Sequence, residues 1–153
     1  MKRILTSTAV GVFALGLAST ALADLKPEDQ ILYRQAGYSF MSWNMGKIKA
    51  NLEGDYNEAQ VAAAANTIAA IANSGMGALF GPGTDKAVGD VKTRVKPEFF
   101  QNMDEVGKLA RDFIAASDQL AAVAAEGDQV EVSSAFGELG EACKACHDKY
   151  RAD

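Results

Sequence analysis

Apolar positions recur at steps of three and four along most of the chain, and no sustained period-two alternation marks a strand. Ile31, Tyr38, Met41, Met45, Ile48 and Leu52 form the first such seam and predict a helix over roughly Pro27 to Leu52, with Pro27 suited to its first turn. Gly54 breaks that pattern. Asp55, with Glu58 three residues on, reads as a capping-box start for a second helix through Val61, Ala64, Ile68 and Ile71, whose alanines permit close helix approach. From Gly75 to Lys96 the stripe lapses, and Gly81-Pro82-Gly83 marks one long connection. Pro97 opens a third helix with an unbroken stripe of Phe99, Met103, Val106, Ala110, Phe113, Ser117 and Leu120, ended by Gly127. Asp128 and Glu131 cap a fourth, along which Val132, Phe136, Leu139, Cys143, Cys146 and Tyr150 step by four and three. Short links within the first and last pairs favour antiparallel neighbours, so the expected fold is an all-α, up-down-up-down four-helix bundle.

A different pattern precedes the first helix. Lys2 and Arg3, an apolar run from Ile4 to Leu17 and the triplet Ala21-Leu22-Ala23 predict a cleaved signal peptide over residues 1–23, with Asp24 opening the mature chain. A membrane anchor needs about 20 apolar residues without a cleavage site, and this run is too short. Residues 24–153 then make one domain around a single core. Loss of Lys2 and Arg3 takes the formal net charge from −5 to −7, an acidity that argues against nucleic acid or an anionic membrane as partner.

Both cysteines and the only histidine fall together as Cys143-Lys144-Ala145-Cys146-His147. C-x-x-C-H is a pattern for covalent haem attachment: two thiols at this spacing add across the two vinyl groups of one porphyrin, and the adjacent imidazole reaches the iron from the same side. A structural zinc site needs about four ligands, more Cys and His than the chain contains. A thioredoxin-like pair would sit between a strand and a helix, whereas this one lies on the last helix. Haem attachment of this kind follows export, so both ends of the chain point to a periplasmic protein with one covalent haem c. Cys143 and Cys146 share their seam with Leu139 and Tyr150, which directs the haem into the bundle interior.

On these residues the mature chain resembles cytochrome c′, the class II c-type cytochrome of purple phototrophic and denitrifying bacteria, and especially its purple sulfur bacterial form. The similarity lies in Tyr33-Arg34-Gln35-Ala36-Gly37-Tyr38, in Phe80-Gly81-Pro82-Gly83-Thr84 and in Cys143 through Arg151. It implies a four-helix bundle, commonly a homodimer, with five-coordinate high-spin iron. It implies thioethers at Cys143 and Cys146 and a proximal ligand at His147. It also places Arg34, Gln35 and Arg94 on the propionate side and Trp43 near the pocket. Arg151, one helical turn after His147, is expected over the proximal face or hydrogen-bonded to the imidazole.

Function turns on the sixth iron position, which electron carriers fill and gas binders leave open. Low-spin relatives place a methionine four residues after an arginine like Arg34, where this chain has Tyr38. Tyrosine ligates only as a phenolate, and no basic residue is expected on the seam to deprotonate it. The expected function is therefore binding of nitric oxide and carbon monoxide beneath Tyr38, with nitric oxide tolerance or transport as the implied role. The alternative is a low-spin electron-transfer cytochrome with Met41 or Met45 as sixth ligand and a periplasmic redox partner. Catalysis is not expected: a distal histidine is missing, and no acid–base pair is readable near the iron.

Overall fold

The computed structural model describes residues 25–153; the expected signal peptide lies outside the described residues. Five helices follow in order: α1 (Pro27–Glu53), α2 (Glu58–Ala72), α3 (Glu98–Gln101), α4 (Met103–Glu126) and α5 (Gln129–Tyr150). The four long ones form the expected bundle, α1 packing on α2, α2 on α4 and α4 on α5, while α1 and α5 touch only lightly. No described helix is long and apolar enough to cross a membrane.

Two helix starts depart from expectation. The N-cap of α2 is Asn57, not Asp55: Asn57 Oδ1 accepts from the Gln60 amide at 3.0 Å, and the Asn57 amide donates to Asn51 Oδ1 at 2.9 Å, fixing the entry point from α1. The third helix is not continuous. Asn102 leaves helical geometry (φ −124°, ψ 43°) and its side chain donates to the Glu98 carbonyl at 2.8 Å, the competition with backbone bonding that asparagine offers. The single turn α3 is thereby separated from α4, and Met103 and Ala110 turn to solvent instead of joining the seam. The start of α5 is as expected, with Asp128 Oδ1 accepting from the Val130 and Glu131 amides after Gly127 in the left-handed region (φ 81°).

The main core joins Met41 and Ile48 of α1 to Val61, Ala64, Ala65 and Ile68 of α2, Leu120, Val123 and Ala124 of α4, and Val132, Ala135 and Leu139 of α5. Each fully buried Ile or Leu contributes about 1.5–3 kcal/mol of transfer free energy. The buried face of α1 is rotated from the expected seam. Arg34, Asn44 and Asn51 are buried, Met45 and Leu52 only partly so, and Tyr38 keeps part of its surface in solvent. The asparagines are tolerated inside because Asn44 and Asn51 return their amides to the Phe40 and Lys47 carbonyls at 2.8 and 3.0 Å.

Candidate functional site

Cys143 and Cys146 are half-buried on α5 and free of disulfide bonding. Cys143 packs against the main core, whereas Cys146 packs against a second cluster of Phe99, Val106 and Tyr150. Burial pushes both thiols above their ordinary range, and at Cys143 the neighbouring Cys146 adds to the effect. These are protonated thiols, not the depressed thiolates of redox or zinc sites. Among the described residues no group of three or more His, Cys, Asp or Glu converges as a metal site.

Beside them, His147 is held below its usual range, first by desolvation and then by the cations of Arg151 and Arg94, against the opposing pull of Asp148. A neutral imidazole keeps the lone pair a metal requires. Arg151 Nη1 approaches His147 Nδ1 at 3.4 Å, the contact expected from their one-turn spacing. Two protonated thiols on an inward face with a neutral imidazole adjoining them is a donor set that fits a porphyrin attached at two points and ligated once.

From α1, the Tyr38 ring stands edge-on to Phe80 at 6.5 Å and lies close enough to both cysteines to feel them electrostatically. Its pKa is pushed up to about 12, chiefly by burial and then by the two cysteines. The expectation that no basic residue adjoins it is corrected: Arg34, one turn earlier, draws the value down, but burial outweighs it. Met41 is built into the main core and Met45 packs against it. Trp43 lies outside the core; it is exposed, stacked on Phe40 at 5.3 Å with Lys47 Nζ 4.2 Å over its ring.

The remaining expected residues gather on one extended strip, Lys92 to Lys96. Gln35 Nε2 donates to the Lys92 carbonyl at 2.7 Å, and Arg34 Nη2 donates to Thr93 Oγ1 at 2.8 Å. Arg94 Nε donates to the Ala152 carbonyl at 2.8 Å, and Val95 bridges Arg151. Arg34 does more than expected of a propionate partner. It is buried over the Phe80 ring and also donates to the Leu79 carbonyl, Thr84 Oγ1 and the Thr84 carbonyl at 3.1, 2.8 and 2.5 Å. Its two terminal nitrogens thus serve neutral oxygens of the long connection, leaving Nε as the remaining donor. The buried hydroxyl of Thr84 that completes this clasp was missed in the sequence, where only the Phe80–Thr84 run itself was a signal.

A four-helix bundle whose last helix carries C-x-x-C-H on its inward face belongs to the c-type haem proteins of class II. More narrowly, the chain belongs to the cytochrome c′ family, whose profile matches residues 29–151. It is 71% identical over 153 residues to the cytochrome c′ of Allochromatium vinosum, covering 99% of each chain. A solved cytochrome c′ described as having an unusual ligand-controlled dimer dissociation superposes with a TM-score of 0.84 at 72% identity, covering 86% of this chain and 100% of that one. Variants of the Alcaligenes xylosoxidans protein solved with carbon monoxide and with nitric oxide both superpose at a TM-score of 0.73, with 32% and 30% identity. They match 84% and 85% of this chain and 98% of theirs.

Proposed function

We propose that this protein is a periplasmic carrier or scavenger of small diatomic gases, nitric oxide first and carbon monoxide second, acting through one covalent haem c. The observation that carries the reading is Tyr38 of α1: its ring stands edge-on to Phe80, within electrostatic reach of Cys143 and Cys146, and its pKa is pushed up to about 12. Cys143 and Cys146 would hold a haem through thioethers and His147 would ligate its iron; the group would supply the iron chemistry that takes up a diatomic gas. A phenol that stays protonated at neutral pH does not serve as an iron ligand, so Tyr38 stands as a side chain an incoming gas must displace. Met41 is committed to core packing with Ile48 and Leu120, which disfavours the electron-transfer alternative. Arg34, Gln35 and Arg94, brought together on the Lys92–Lys96 strip, are the propionate-side residues, Arg34 through its remaining donor.

Export follows from the Ala21-Leu22-Ala23 cleavage site, which places attachment in an oxidising compartment. A homodimer responsive to ligand is supported by the related structure described as a ligand-controlled dimer. The protein acts by binding and not by turnover, since its single histidine is assigned to the proximal side. The test is the optical and paramagnetic resonance spectrum of purified protein, oxidised and reduced, before and after carbon monoxide. High-spin iron that takes up the gas is expected; a low-spin spectrum indifferent to it would make the protein an electron carrier.

A further inference from the structure

We propose that Glu105, on α4 and outside the haem motif, is a positioning residue for His147 and Cys146, acting through Tyr150. The proposal rests on the haem reading above. His147 lies exposed on the last turn of α5, and its one side-chain hydrogen-bonding contact among the described residues is the 3.4 Å approach of Arg151. What fixes the imidazole in place therefore acts through the turn that carries it.

That turn is held at Tyr150. The ring is buried, edge-on to Phe99 at 5.8 Å and 86°, in the same cluster that takes in Cys146 one helical turn back. The Tyr150 hydroxyl donates to Glu105 Oε2 at 2.5 Å, and its carbonyl accepts from the Lys96 amide at 2.9 Å. Lys149 Nζ donates to the other carboxylate oxygen, Glu105 Oε1. One carboxylate thus grips two successive residues of the terminal turn. It does so from the first turn of α4, where the helix dipole favours a negative charge. Both donors hold Glu105 below the usual carboxylate range, Lys149 the more strongly.

Helix ends fray, and a frayed last turn of α5 would carry His147 around the helix axis and loosen the packing of Tyr150 on Cys146. Glu105 touches neither the thiols nor the imidazole. Its role is to keep that turn closed.

The experiment uses purified haem-loaded protein and two readouts: hydrogen exchange at the Lys96, Arg151 and Ala152 amides, and the iron–histidine stretching band of the ferrous form by resonance Raman. Glu105→Ala should speed exchange at these amides by about tenfold, the scale of the hydrogen bond lost from Tyr150, with the exposed Lys149 contact adding little. It should also broaden and lower the iron–histidine band. Glu105→Gln, whose amide oxygen still accepts from Tyr150, should restore most of both. Val132→Ala, at the far end of α5, should lower overall stability and leave the band in place. An unchanged band in Glu105→Ala protein that retains its haem overturns the proposal, as does a change matched by Val132→Ala. Absence of covalent haem from the unsubstituted protein overturns the haem reading and this proposal with it.

Discussion

Replacing Arg34 with methionine isolates the clasp between α1 and the long connection. Methionine keeps the aliphatic stem and the packing on Phe80 but removes four donated hydrogen bonds, at 3.1, 2.8, 2.5 and 2.8 Å, to Leu79, Thr84 and Thr93. Hydrogen bonds from a charged group each contribute about 1.5–3 kcal/mol, and they are not additive. Opposing them is the desolvation of the guanidinium, evident in the lowering of its pKa by burial, which methionine does not incur. The acceptors left behind differ in kind. Thr84 is fully buried and keeps only the bonds its hydroxyl and amide donate to the Gly81 carbonyl, whereas Thr93 and Leu79 reach solvent. One stranded buried carbonyl and one weakened hydroxyl, set against the recovered desolvation, leave a net loss of about 3–4 kcal/mol. For a domain of this size that lowers the melting temperature by about 10–15 °C. Thermal denaturation of Arg34→Met, Thr84→Val and the double variant checks it. The double variant should recover at least about 1 kcal/mol relative to the sum of the single losses, because the two residues act on one interaction. Strict additivity, or a melting temperature within about 3 °C of the parent, would refute the clasp and leave Arg34 to the propionates alone.

Other consequences are open to direct measurement. Tyr38→Ala should accelerate carbon monoxide association by about tenfold, equivalent to removing roughly 1.4 kcal/mol from the barrier, and an unchanged flash-photolysis rate would remove Tyr38 from the role of gate. Stability should fall in strong alkali. Tyr38 and Tyr150 are both pushed up to about 12, so the folded state holds these protons more tightly than the unfolded chain. That contribution is complete below about pH 10 and is lost as pH rises towards 12; denaturant titrations across this window should flatten in Tyr38→Phe/Tyr150→Phe protein. Cys143→Ser/Cys146→Ser protein should carry no haem resistant to denaturing electrophoresis, whereas His147→Met should retain the covalent haem with an altered axial spectrum. Sedimentation of the reduced protein should shift towards the monomer on addition of carbon monoxide, and identical profiles would sever ligand binding from assembly.

Much of the bundle could be read from periodicity because its helices bury one stripe each. Ile31, Ile48, Val61, Ile68, Leu120, Val132 and Leu139, all on expected seams, are the largest fully buried apolar side chains. The departures occur where polar groups decide the outcome. Asn102 breaks the third helix with a side-chain bond to Glu98, although the apolar stripe runs straight through it. Asn57 takes the cap from Asp55 because Asn51, a turn of α1 away, fixes its amide. On α1 itself, the apolar residues alone run the seam through Met45 and Leu52, whereas the buried face also takes in Arg34, Asn44 and Asn51.

The site divides along the same line. Cys143, Cys146 and His147 fall within five residues, so the haem reading rests on local spacing and needs no fold. The expectation at Tyr38 rests on the family resemblance, through its offset from Arg34 on a single helix, again a local relation. The partners of Arg34 are not local: Leu79, Thr84 and Thr93 lie 45, 50 and 59 residues away and reach it only through the path of the long connection. A guanidinium on a helix announces that oxygens will be needed, and its spacing says which side they will lie on. It does not distinguish a propionate from a carbonyl, because both satisfy the same donors. Only the course of the loop makes that choice. Here the loop brings three carbonyl or hydroxyl sources to the terminal nitrogens before its strip turns to meet the end of α5.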